Sequence, residues 1–309
     1  MILVAMALGA LCLEAQSHYV FFNRERERIA ETSFLEARGV AGAQVKYTWR
    51  ELEPRRDEYD FSAVRKDVEF LTARGKRLFV QLQDSSFDDR IVNVPEYLRS
   101  SGAVRQYLER DGKRAPDGWV ARRWDAAVRE RFHKLLFALG REFDGRIEGI
   151  NLAETSIGVS RADAADFEPG RYRDAVLDNL RALKKAFPKS VAMQYANFMP
   201  GEWLPWEDKG YLRSVYEEAV KTGAGVGGPD LLPKRKGQLA HAYPLLKKVA
   251  GKVRTGIAVQ EGNYSEGSSV EELLRFARET LRVDYVFWGA EAPYYERDVL
   301  PLLARQAGK

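Results

Sequence analysis

Short apolar or β-branched runs alternate with segments of helical period along almost the whole 309-residue chain, and this alternation restricts the available folds more than any other feature. Eight runs read as strands: HYVFF (18–22), VAGAQVKYTW (40–49), RLFVQLQD (77–84), RIEGINLAE (146–154), SVAMQYAN (190–197), AGVGGPD (224–230), RTGIAVQE (254–261) and VDYVFWG (283–289). Between them, Val64, Val68 and Leu71; Val128, Phe132, Leu135 and Leu139; and Val176, Leu180, Leu183 and Phe187 recur at offsets of three and four, which puts each set on one helix face. Ser269 and Glu272 form a capping-box start ahead of Leu273 and Leu274, and a last helix is expected over 298–307. No Gly-x-Gly-x-x-Gly turn follows the first strand. The chain therefore reads as α/β, a single (β/α)8 TIM barrel over residues 18–309, rather than an open doubly wound sheet. The sixth strand has the least strand propensity because of its glycines. The third and fourth strands start at 77 and 146, a far wider gap than between the last two at 254 and 283. An elaborated loop over about 85–123 is thus expected after strand three, on the face where such barrels carry their sites.

Composition removes several function classes. Lys and Arg total 49 against 45 Asp and Glu, and the +4 excess is spread along the chain, which argues against a nucleic-acid partner. One cysteine, Cys12, excludes an intrachain disulfide and a thiolate zinc cluster; His18, His133 and His241 are too far apart to form a metal motif. Neither metal nor cofactor is expected. Residues 2–13 form an apolar run of the length of a signal-peptide core, too short to span a bilayer comfortably, although no basic residue precedes it. Residues 1–17 read as an export signal, giving a periplasmic or extracellular protein, or else as an apolar segment packed on the barrel. No other membrane association is expected, and the sequence carries no signature of an oligomeric state.

In a barrel of this kind the carboxyl ends of the strands share one bowl, so polar residues that end apolar runs are the first site candidates. These are Trp49, Arg50 and Glu53; Gln83 and Asp84; Asn151 and Glu154; Gln194, Tyr195 and Asn197; Asp230; Gln260 and Glu261; and Trp288. Glu154 and Glu261 stand apart, closing the fourth and seventh runs on opposite sides of the bowl. Two facing carboxylates suit glycosidic cleavage: one protonates the departing oxygen while the other attacks or stabilises the oxocarbenium-like centre. Trp49, Trp203, Trp206, Trp288, Tyr264, Tyr294 and Tyr295 fall near strand ends and offer flat faces and polar edges for sugar rings. Gln83, Asp84 and Asp230 suit either sugar hydroxyls or local caps. Trp206 and at least one of Tyr294 and Tyr295 read as packing. His133 and His241 read as structural, and Lys234–Arg235–Lys236 as a solvated loop.

The stretch YTWRELEPRRDEYDFSAVRKDVEFLTARGKRLFVQLQ (47–83), the helix and strand of WDAAVRERFHKLLFALGREFDGRIEGINLAET (124–155), and the carboxylates of strands four and seven together resemble the clan A glycoside hydrolases. The resemblance covers about residues 40–290. It implies a retaining glycosidase that needs no cofactor and acts on an oligo- or polysaccharide, with Glu154 as acid/base, Glu261 as nucleophile and Trp288 as the aromatic that stacks on a sugar. One position departs from that pattern: the family usually has Asn directly before its acid/base Glu, and this chain has Ala153. Two other readings fit the same residues: a glycan-binding barrel without turnover, and a barrel lyase or isomerase that uses Glu154 as base.

Overall fold

A computed structural model describes residues 16–110, 113–260 and 262–308. Eight parallel strands close into a barrel: β1 (Ser17–Phe21), β2 (Gly42–Thr48), β3 (Arg77–Gln83), β4 (Gly149–Leu152), β5 (Val191–Tyr195), β6 (Gly225–Gly228), β7 (Thr255–Val259) and β8 (Tyr285–Gly289). Each pairs with its neighbours in chain order, and β1 closes the ring on β8 in the register Ser17↔Tyr285 to Phe21↔Gly289. The fold is the expected (β/α)8 barrel, and each strand falls inside or within one residue of its predicted run.

Alternation along the strands sorts side chains into two cores. Tyr19, Phe79, Met193, Tyr195, Tyr285 and Phe287 turn inward and fill the barrel, with the Phe79 and Phe287 rings 4.8 Å apart at 74°. Residues of opposite parity face the helices, which meet them with the predicted stripes: Val64, Val68 and Leu71 on the helix Ser62–Thr72, and Val128, Phe132, Leu135 and Leu139 on Ala126–Phe143. Ser269 accepts from the Glu272 amide in the predicted capping box. Gly227 explains why a strand of low propensity forms where it does. A Cβ there would lie 2.5 Å from the Gly256 carbonyl oxygen and 3.0 Å from Met193 Sδ, so only glycine lets β6 pass so close.

The elaborated loop after β3 is a small antiparallel sheet. Lys113–Ala121 is its central strand, between Ala103–Arg110 and the two residues Ser85–Ser86. It grips the barrel at two points: the Ala121 amide donates to the Asp84 carbonyl at 3.0 Å, and the Tyr107 amide to the Gly158 carbonyl beyond β4 at 2.8 Å. Residues 2–13 with Cys12, and Glu261, lie outside the described residues. Among the described residues, no helix is long and apolar enough to cross a membrane.

Candidate active site

At the carboxyl ends of the strands a cavity of about 590 Å³ opens, with Asn23, Lys46, Gln81, Gln83, Glu154, Tyr195, Asp230 and Gln260 among its lining residues. The sheet after β3 contributes Ser85, Ser86, Phe87 and Asp88 to its wall. The lining is rich in amides and charge, and Phe87 is its exposed aromatic.

Glu154 follows β4 by two residues and is partly buried. The Asn197 side-chain amide donates to its Oε2 at 2.5 Å. Burial and the negative charge of Asp230 push the Glu154 carboxyl up to about 7, against the pull of Asn197, Arg123 and Lys46. Its backbone is pinned from behind. Arg123, buried, donates to the Glu154 carbonyl at 2.9 Å and to the Tyr172 hydroxyl at 2.7 Å, while forming a two-bond ion pair with Asp84 at 2.6 and 2.7 Å. Tyr172 in turn donates to the Thr155 carbonyl at 2.9 Å. The Thr155 amide reaches the Tyr195 carbonyl, and the Asn197 amide reaches Thr155 Oγ1, so the ends of β4 and β5 are fastened together.

Asp230, beyond β6, is held by the Asn263 side-chain amide at 3.2 Å, and burial raises its carboxyl above the ordinary range. Gln260, at the end of β7, lines the cavity and donates to the Pro229 carbonyl at 2.8 Å. Lys46 projects inward from β2; burial and the adjacent Arg24 push its ammonium down to about 8, with Glu154 pulling the other way. Below this layer Gln44 donates to Asn151 Oδ1 at 2.9 Å and to the Tyr195 hydroxyl at 2.8 Å, forming a polar floor above the aromatic core.

Of the residues singled out in the sequence, Gln83, Glu154, Tyr195, Asp230 and Gln260 line this cavity, and Asn197 meets it through Glu154. Others are placed elsewhere, Glu53 among them, buried as the acceptor of the Trp49 indole and the ion-pair partner of Arg131. Trp49 is fully buried in the first turn of the helix Trp49–Leu52, its indole donating to Glu53 at 2.7 Å, because the chain leaves the bowl as soon as β2 ends. Arg50 is exposed and pairs with Glu96 at 2.9 Å. Asp84 is the buried counter-charge of Arg123 and does not reach the cavity. Gln194 has the outward parity of β5 and donates to the Ala153 carbonyl at 2.7 Å. Trp288 has the outward parity of β8, so it packs against the helix layer with its indole on His18 Nδ1 at 3.2 Å and offers no face to a sugar. Asn151 is sealed in the floor. Trp206, expected to pack, is 75% exposed, whereas Tyr295 is buried. His133 and His241 are bonded to Asn179 Oδ1 and the Gly237 carbonyl.

Sequence reasoning passed over Arg24, Lys46, Gln81 and Arg123. Parity would have found two of them: Lys46 and Gln81 interrupt apolar strands at inward positions, where a polar side chain has only the bowl to enter. Arg123 gives no such signal, since its partner Asp84 is distant in sequence. Among the described residues no group of three His, Cys, Asp or Glu side chains is placed to hold a metal ion.

No family model matches the sequence, and no curated protein does. Solved structures do match. A thermostable mutant of xylanase Xyn10A from Cellvibrio japonicus superposes with a TM-score of 0.55 at 13% identity, covering 96% of each chain. The catalytic domain of a β-amylase from Paenibacillus polymyxa gives 0.54 at 10% identity over 89% of this chain and 92% of that one. Xylanase 10B from Thermotoga petrophila, in complex with xylobiose, gives 0.52 at 13% over 89% and 82%. The structural neighbours are glycoside hydrolases, in keeping with the clan A resemblance of the sequence. At these identities the likeness establishes the barrel.

Proposed function

We propose that the protein is a retaining glycoside hydrolase that cleaves O-glycosidic bonds of an oligo- or polysaccharide. The observation that carries this reading is Glu154: a carboxyl raised to about 7, hydrogen-bonded by Asn197, on the wall of an amide-lined bowl. A group with that pKa is protonated often enough near neutrality to give its proton to a leaving oxygen, and can accept one afterwards. Asp230 has an electrostatic part, its negative charge keeping the proton on Glu154. Gln81, Gln83 and Gln260 present amides to sugar hydroxyls. Glu261, next in the chain after Gln260, takes the nucleophile's part. Its carboxylate forms an ester with the anomeric carbon as the glycosidic bond breaks and Glu154 protonates the leaving oxygen. Water, deprotonated by Glu154, then displaces the ester. The solved relatives named as xylanases and as a β-amylase support carbohydrate as the substrate class. The apolar run at residues 2–13 supports action outside the cytoplasm.

The test is a screen of chromogenic glycosides and of plant and bacterial polysaccharides, followed by turnover in ¹⁸O water. Glu154→Gln and Glu261→Gln should each lower kcat by a factor on the order of 10² or more, the scale of lost acid–base or nucleophilic catalysis. The label should appear at the new anomeric hydroxyl with configuration retained. Product without solvent oxygen would transfer Glu154 to a lyase or isomerase role. Full activity of Glu261→Gln would remove the nucleophile assignment.

A further inference from the structure

Arg24 and Lys46 line the same cavity as Glu154, and their charges lie close enough for Arg24 to disfavour the Lys46 ammonium. Three other cations nearby are committed: Arg26 pairs with Asp67 at 3.3 Å, Arg90 with Asp88 at 2.7 Å and Arg123 with Asp84 at 2.6 Å. Among the described residues, neither Arg24 nor Lys46 is held in an ion pair. Lys46 is partly buried, its ammonium 5.7 Å from the centre of the Phe21 ring. Asp88 feels Arg24 but is bonded to Arg90, and Glu154, raised to about 7, is only partly ionised near neutrality.

Two like charges, one of them partly removed from water, disfavour each other and favour an added negative group. A neighbouring cavity of about 600 Å³ shares Arg24 and Lys46 and adds Arg26 and Lys66 beside the carboxylates of Glu27, Glu51 and Asp67. The amides of Gln81, Gln83 and Gln260 lie in the first cavity, and the buried side-chain oxygen of Gln81 has no hydrogen-bond partner. The bowl thus presents hydroxyl-binding groups beside a cationic pair.

We propose that Arg24 and Lys46 bind an anionic substituent of the sugar, so that the substrate is an acidic glycan bearing carboxylate or sulfate groups. This deepens, and rests on, the carbohydrate reading of the site. The guanidinium supplies a planar two-bond contact from the rim, and the ammonium supplies a point charge at the wall.

The test is binding, without turnover, of the full chain to an array of uronic-acid glycans, sulfated glycans, and the same glycans after carboxyl reduction or desulfation. At least one acidic set should bind about tenfold or more tightly than its neutralised counterpart, the scale of a charge-assisted contact out of bulk water. The set that does so tells carboxylate from sulfate. Lys46→Met should reduce the preference to about twofold and Arg24→Ala should weaken it several-fold, while Lys247→Ala, on a remote exposed helix face, should leave it unchanged. Arg24 is exposed, so its variant tests the idea even if Lys46→Met fails to fold. Equal binding of the neutralised glycans, a preference that survives both substitutions, or no acidic glycan bound across the array would overturn the proposal. Acidic preference without release of reducing ends would defeat the hydrolase reading alone. Hydrolysis confined to neutral glycans would defeat this inference alone.

Discussion

Glu154 ties protonation, stability and activity to one carboxyl. Its folded pKa of about 7 lies above the ordinary 4.5, so the fold favours the protonated form. That contribution is present in full below about pH 4.5 and is lost as pH rises through about 7. Glu154→Gln, always neutral and still able to accept from Asn197, should melt higher than the native protein above pH 7 and level with it below pH 4.5, read from Tm in parallel buffers. In the proposed hydrolase the alkaline limb of kcat/KM should fall with a midpoint near 7, as Glu154 loses its proton. Asp84 is the buried ion-pair partner of a buried Arg123. Asp84→Ala leaves that guanidinium uncompensated and should cost about 3–5 kcal/mol in urea unfolding. It should also lower kcat, because Arg123 fixes the Glu154 backbone.

At the scale of elements, the small sheet after β3 is a wall attached to the barrel by a few close contacts. Gly118 stands at φ 139°, and a Cβ there would come within 2.0 Å of the Ser86 carbonyl oxygen. Both the backbone angle and the approach of the two strands require glycine. Gly118→Ala should therefore part Lys113–Ala121 from Ser85–Ser86 and open one side of the cavity, while leaving the barrel folded. The expected signature is a rise in substrate KM and faster proteolytic cleavage within 103–121, with far-UV circular dichroism little changed. The helices behave more simply. Their apolar stripes cover the sheet because the spacing of Val128, Phe132, Leu135 and Leu139 leaves them only one face to share.

The whole molecule is one closed ring, and its two cores meet through the strands. Phe287 is fully buried among Phe79, Tyr19 and Tyr195 in the inner core, below the polar floor of Gln44 and Asn151. Phe287→Ala should cost about 3–5 kcal/mol, a cavity-forming loss in a core with little room to relax. Because β1 and β8 close the ring directly, that loss should appear as a shift of a single cooperative unfolding transition with unchanged urea dependence. A separate early transition confined to one half of the barrel would contradict this.

The sequence by itself determined the ring of eight strands, the helix stripes, the excursion after β3 and the place of Glu154, because burial periodicity and strand ends are local properties of the chain. It did not determine which strand-end residues enter the bowl. Trp49 and Trp288 looked like sugar platforms, yet Trp288 takes the outward parity of β8, since a shift of one residue along a strand moves a side chain to the other face, and Trp49 is carried into a helix as β2 ends. Tertiary structure alone decided the rest. Arg123 meets Asp84 and holds Glu154, Asn197 meets its carboxyl, the charge of Asp230 adds to burial in raising its pKa, and Arg24 and Lys46 line one cavity, because each of these arrangements spans elements that only closure of the barrel brings within reach.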